Sequence, residues 1–294
     1  MHRRNLALAI LTTFLAPAAL AGESVDRSLA APLDAVISIS NTRGDVTVTG
    51  WDQATVAIKG ELDDLAEELV FVVEDKNVTI DVIMPRQNVN RGNGSDLDIK
   101  VPQGSRVRFS GVSTDIRVEN ISGGMKIESV SGDIKARQIM PQLMLNAVSG
   151  NIEVEQVGGR LSASTISGDL QVKANATDVK VDTVSGDLTV MLEAFDSLAA
   201  RTISGEMDIS GELNSAGEVD LSTVSGDVRL ALQSGLNARI DINGGIGSDI
   251  DNDYNDAQAE RSFLSQQRLK TVIGDGSAHV AVRAVSADIT FKQR

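Results

Sequence analysis

The phrase V-S-G-D-I at 130–134 returns as V-S-G-N-I at 148–152, I-S-G-D-L at 166–170 and V-S-G-D-L at 184–188, a period of 18 residues. Relaxed copies continue it in both directions, with V-S-T-D-I at 112–116, I-S-G-E-M at 203–207 and V-S-G-D-V at 224–228, so the later spacings grow to 19 and 21. An isolated copy, V-S-A-D-I at 285–289, stands near the end of the chain.

The columns around the phrase carry the structural information. Five residues before each copy lies an apolar position (Val107, Met125, Leu143, Leu161, Val179, Leu198, Val219), and two residues later a second (Phe109, Ile127, Leu145, Ala163, Val181, Ala200, Leu221). Spacing of two places them on one side of a strand. A third column is small or β-branched (Gly111, Ser129, Ala147, Thr165, Thr183, Thr202, Thr223) and is followed directly by the Val or Ile of the phrase. Two successive inward candidates break the alternation, which reads as a corner. After it, Ile116, Ile134, Ile152, Leu170, Leu188, Met207 and Val228 open a second strand, whose other inward column runs from Val118 to Leu230. Identical columns at a fixed period suit coils that bury their apolar side only against neighbouring coils, like residue over like residue at about 4.8 Å. The expected fold is therefore all-β, a parallel β-solenoid resembling a β-helix, with coils of about 18 residues and a right-handed path by the crossover rule. The rival is an antiparallel meander in which every S-G-D closes a hairpin.

Residues 22–102 read as an N-terminal β region with degenerate repeats, 103–233 as the regular array, and 234–294 as terminal coils with an acidic insertion at about 251–270. The opening V-I-S-I-S-N-T-R-G-D-V-T-V-T-G-W at 36–51 holds the column offsets of the repeat. Strands are expected at 56–58, 69–73, 78–83 and 97–101, a short helical turn at 63–68, and an exposed Asn/Gly loop at 85–94. A short helix is expected near 257–269, and 272–291 reads as the final coil of the stack.

Residues 1–21 read as a removable signal peptide: His2, Arg3 and Arg4, then an apolar run at 6–15, then Ala19-Leu20-Ala21 in the small-x-small pattern of a cleavage site. Export is expected, to the periplasm or surface of a bacterium. Removing the leader takes away Arg3 and Arg4 and leaves 25 basic against 41 acidic residues. That field disfavours nucleic acid and anionic lipid as partners. Cysteine is absent, so thiol catalysis and cysteine-held metals are excluded and the fold is held without disulfides. No later stretch has the roughly 20 apolar residues that a membrane-spanning helix needs.

These features resemble a family of bacterial exported proteins built of V-S-G-D β-strand repeats, classed as a domain of unknown function and often labelled as adhesins. The resemblance rests on I-S-I-S-N-T-R-G-D-V-T-V-T-G-W-D at 37–52, V-P-Q-G at 101–104 and the repeated phrase. It implies an envelope or surface role and supplies no catalytic residue.

The glycines of the phrase, Gly132, Gly150, Gly168, Gly186, Gly205 and Gly226, are expected at positive φ in a corner, with Asp133, Asn151, Asp169, Asp187 and Asp227 bonding to backbone amides there. The sharper alternative makes the same acidic column, from Asp115 through Glu206 to Asp227, an edge for divalent cations. A second calcium candidate is the loop at 249–260, where Asp249, Asp251, Asp253, Asn255 and Glu260 stand at positions 1, 3, 5, 7 and 12, although Tyr254 takes the place of the sixth-position Gly. No other cofactor is implied. A carbohydrate-active enzyme needs paired carboxylates, which abound, yet His279 is the single His after the leader, and Trp51 and Tyr254 are the only Trp and Tyr. The functional expectation is a non-enzymatic scaffold of the cell envelope that binds a protein or glycan, with a purely structural component as the alternative.

Overall fold

The computed structural model describes residues 22–86, 92–262 and 266–294. Within them there is no helix, and 21 strands join into one continuous sheet. Each coil consists of two strands that meet at the S-G-D corner, and each strand stacks on its counterparts in the coils before and after. Met125, Leu143 and Leu161 stand in one row, and Ile116, Ile134 and Ile152 in another. Every pairing between successive repeats is parallel, which excludes the hairpin meander and establishes a parallel β-solenoid.

The inward rows fill the space between the two ladders. Val107, Ile127, Ile134, Val154, Val172 and Leu188 have essentially no solvent exposure, and burying each such side chain contributes about 1.5–3 kcal/mol. The coils with spacings of 19 and 21 take up their extra residues at the end remote from the corner. Register shifts fall between Met191 and Ala194 and between Phe195 and Ser197, while Ser185, Ser204 and Ser225 stay aligned at the corner. Phe195 and Leu213 turn inward to fill the added width.

At both ends, spatial order departs from chain order. Val36–Trp51 is a complete coil in register with Arg106–Ile121. The later strands Asn77–Ile83 and Asp96–Pro102 nevertheless stack on its outer side. At the other end, Ala278–Ser286 pairs with both Met207–Ser225 and Ala238–Ile246, and Ile289–Gln293 with both Val228–Leu232 and Ile250–Asn252. The last coil in sequence is thus the last but one in space, a correction to its expected terminal position. Its apolar residues Val280, Val282, Ile289 and Phe291 fit the columns better than those of 238–252, so the better coil takes the site buried on both faces.

Antiparallel strands close each end. Glu68–Glu74 pairs with Asn77–Ile83, Thr55–Glu61 with Asp96–Pro102, and Ser24–Ala30 with Thr55–Glu61. Gln266–Ile273 covers Ala238–Ile246. The helix expected near 257–269 is therefore absent among the described residues: Glu260–Arg261 and Gln266–Ile273 are strands, because the open edge of the outer coil offers backbone partners that local helix propensity cannot match. The helical turn expected at 63–68 is a single turn closed by the Ala66 amide donating to the Asp63 carbonyl at 2.9 Å. The leader at 1–21 and part of the 85–94 loop lie outside the described residues.

Candidate binding surfaces along the stack

The corner is built from five columns. Strand alternation runs unbroken up to it, so Thr165, Thr183, Thr202 and Thr223 point inward and the aliphatic residue that follows points out. Thr165 is 4% exposed and Ile166 is 52%. The paired inward positions expected from the sequence are thereby corrected. The Thr165 and Thr223 hydroxyls donate to the carbonyls of Ser167 and Ser225, which braces those two corners, whereas the buried hydroxyls of Thr183 and Thr202 have no hydrogen-bond partner among the described residues. As a result, Val112, Val130, Val148, Ile166, Val184, Ile203, Val224 and Val285 form an exposed aliphatic row.

Gly168 turns the chain at φ 132°, and a Cβ added there would lie 2.3 Å from the Gly150 carbonyl oxygen. Both facts restrict the position to glycine. Gly132, Gly150, Gly186, Gly205 and Gly226 also take positive φ. Next comes a ladder between coils: the amide of Asp133 donates to Asp115 Oδ1 at 2.8 Å, Asn151 to Asp133 at 2.9 Å, Asp169 to Asn151 at 3.0 Å, Asp187 to Asp169 at 3.0 Å, and Glu206 to Asp187 at 2.8 Å. Asn151 serves as acceptor just as the carboxylates do. The ladder then breaks, because Glu206 turns its carboxylate to Arg229 at 2.7 Å, with Asp227 3.9 Å from the same guanidinium. No more than two successive carboxylates stand without a basic or neutral neighbour: Asp115 and Asp133 precede Asn151, and Asp169 and Asp187 precede the paired Glu206.

The residues of the proposed calcium loop are not brought together. Asp249 Oδ1 accepts from Arg261 and Gln267, both at 2.8 Å, and Asn255 Oδ1 accepts from Asn252 at 2.7 Å. Tyr254 is drawn inward: it stacks on Phe291 at 4.8 Å between ring centroids, and its hydroxyl donates to the Gln233 carbonyl at 2.6 Å. Asp251, Asp253 and Glu260 remain exposed. Among the described residues no group of three or more His, Asp or Glu side chains is placed to hold a metal ion.

Sequence reasoning missed a buried ion pair in the N-terminal cap. Asp63, 2% exposed, accepts from Arg43, from the Leu65 amide at 2.9 Å and from the Gly94 amide at 3.0 Å. Burial pushes its carboxyl up, but Arg43 and the two amides outweigh that and hold it at about 2. The available signal was Arg43 itself, which stands in T-R-G-D where the repeats carry Ser.

Away from the corner, a groove of about 700 Å³ crosses several coils, lined by Gln138, Met140, Gln156, Asn175, Met191 and Arg294 among others. His279 is exposed on its strand. Trp51 is half-buried, with its indole N–H donated to the Thr55 carbonyl at 2.8 Å.

The family profile described as Toastrack DUF4097 matches residues 34–292, nearly the whole stack. The chain belongs to this Toastrack family. The Toastrack chain is also similar to solved structures. One is a "putative adhesin" from Bacteroides fragilis, 12% identical, covering 92% of this chain and 97% of the other at a TM-score of 0.48. Another "putative adhesin", from Parabacteroides distasonis, is 11% identical, with 93% and 98% covered and a TM-score of 0.40. A "putative cell adhesion protein" from Clostridium sporogenes is 13% identical, with 92% and 100% covered and a TM-score of 0.24. Comparison with curated proteins gives no match. No helix among the described residues is long and apolar enough to cross a membrane.

Proposed function

We propose that this Toastrack protein is an exported, non-enzymatic scaffold of the bacterial cell envelope that displays rows of side chains to a protein or glycan partner. One observation supports the reading above others: outward side chains of successive coils are held in register. Lys135 lies 2.8 Å from Glu153 and Arg137 lies 2.9 Å from Glu155, each pair formed by residues one coil apart. Exposed ion pairs of this kind add little to stability. Their regularity instead fixes a pattern of charge over an extended face, so recognition is spread over area.

The Trp and the Tyr suited to stacking a sugar are committed elsewhere, Tyr254 against Phe291 and Trp51 beside Thr55, which counts against a sugar-binding cleft, catalytic or not, and favours the protein partner. The leader at 1–21 supports export. The test is a cross-linked pull-down of tagged protein, residues 22–294, from the envelope of its own cells. The reading expects a reproducible partner that is lost when Lys135, Glu153 and Gln171 are changed together. An empty pull-down combined with cleavage of a glycan by the purified protein would overturn it.

A further inference from the structure

The aliphatic row outside the corner occupies eight successive coils, from Val112 at 48% exposure to Val285 at 62%. At a strand spacing of about 4.8 Å it is roughly 34 Å long. Its exposed area is on the order of 600 Å², the scale at which contiguous apolar surface marks an interaction site. Strand propensity does not account for the choice of residue. Thr is equally β-branched, and Thr42 stands in this column in the coil Val36–Trp51, between Asn41 and Arg43, which pair with Gly111 and Ser113. The column is nonetheless Val or Ile in the next eight coils of the stack, with Gly244–Gly245 at this place in the outermost coil, while Ser129 and four Thr residues stand inside.

Three residues farther along each coil runs the column of carboxylates. Asp115, Asp133, Asp169, Asp187 and Asp288 each accept a backbone amide from the next coil. Among the described residues none of the five has a basic side chain within ion-pair distance. On the other side of the aliphatic row the charges are paired within the protein, as in Lys126 with Glu128 at 2.8 Å and Lys180 with Asp182 at 3.4 Å. The strip is therefore apolar along its crest and negative along one flank, with a row of neutral serines between.

We infer that this strip docks a cationic amphipathic segment of polypeptide, its apolar side chains against the Val and Ile row and its Lys or Arg side chains facing the unpaired carboxylates. A second copy of the chain fits less well: facing the strip antiparallel it brings a like column of carboxylates to the same flank, and facing it in parallel it offers basic side chains already paired with its own acids, such as Lys126 and Lys180. The inference rests on the display reading and names the partner chemistry of one of its faces.

The probe is a labelled peptide of alternating Val and Lys, roughly ten residues long so that it spans the row when extended, titrated against residues 22–294 by fluorescence anisotropy. Two control peptides replace Lys by Glu, or Val by Ser. Binding of the Lys/Val peptide alone is expected. The variant V148T/I166T/V184T, which keeps β-branching and copies Thr42, should melt with the parent protein and bind at least tenfold more weakly. If the triple variant is not folded, Ile166→Thr alone should still weaken binding severalfold. The variant D133N/D169N/D187N, whose amides can serve in the ladder as Asn151 does, should lose much of the salt dependence. Unchanged affinity in the Thr variants, or equal binding of the Glu peptide, would overturn the inference, and so would a dimer of the parent protein that the Thr variants dissociate. These outcomes leave the envelope pull-down unaffected, so failure of the strip and failure of the display reading can be told apart.

Discussion

Asn151 is the one neutral residue in the acidic column of the regular array, and restoring the consensus Asp should weaken the protein. Asn151→Asp joins two short runs of carboxylates, Asp115 with Asp133 and Asp169 with Asp187, into one run of five, and creates two new neighbouring repulsions. At the strand spacing of 4.8 Å each amounts to about 0.9 kcal/mol in bulk water. With a Debye length near 30 Å at 0.01 M salt nearly all of this is felt, about half survives at 0.15 M, and about a fifth at 1 M. One gain opposes it: the Asp169 amide, now 3.0 Å from a neutral Asn oxygen, would donate to a charged one, worth a few tenths of a kcal/mol at an exposed site. The net expectation is destabilisation of about 1 kcal/mol at low salt, fading to nothing at 1 M. Urea unfolding followed by circular dichroism at the three salt concentrations measures it. A stabilising effect at low salt, or a loss that ignores salt, would refute the account of the ladder. Recovery by millimolar calcium but not by an equal ionic strength of sodium chloride would show instead that the carboxylate column binds divalent cations.

Other residues give independent tests. Asp63→Asn should cost about 3 kcal/mol in urea unfolding at pH 7, because it leaves the Arg43 guanidinium facing a neutral amide in a buried site. The Asp63 carboxyl is held at about 2 against 3.8, so its contribution of about 2 kcal/mol is complete above pH 4 and is lost as pH falls through 2; Asp63→Asn should flatten that part of the acid profile. Gly168→Ala should cost about 3 kcal/mol through its φ of 132° and the 2.3 Å approach to the Gly150 carbonyl, measured by the same unfolding curves. Removal of residues 278–294 should abolish protection from hydrogen exchange across 238–252 while leaving 125–185 protected, since only the former loses its neighbouring coil.

Most of the architecture was legible because burial in a solenoid repeats. Val107 and Phe109 before the corner and Ile116 and Val118 after it announce the inward side, and seven copies of the pattern fix the period. The corner misled because hydrophobicity ranks Ile166 above Thr165 as a core residue, whereas the strand's alternation and the hydroxyl's bond to the Ser167 carbonyl put Thr165 inside. That inversion is also what creates the aliphatic strip, so the candidate surface was invisible to a reading that buries every Val. The Arg43 and Asp63 pair could not be found from spacing, as the two residues belong to different elements and meet only when the cap folds over the first coil. The end of the chain misled for a similar reason. Residues 257–269 carry helix-forming side chains, but the edge of Ala238–Ile246 had to be covered, and Gln266–Ile273 covers it.

Placing the C-terminal coil inside the stack has a consequence for how such a protein gains and loses length. A repeat duplicated between 112 and 225 adds one more layer of the same kind and disturbs neither end. The same duplication after 232 would have to be accommodated by two layers that are neighbours in space but separated in the chain, so it would break the closure. Lineages should therefore vary in the number of central repeats while keeping both terminal arrangements intact. Residues 278–293 act as a keystone: until they slide between their two neighbours the molecule is unfinished, however many coils have already stacked.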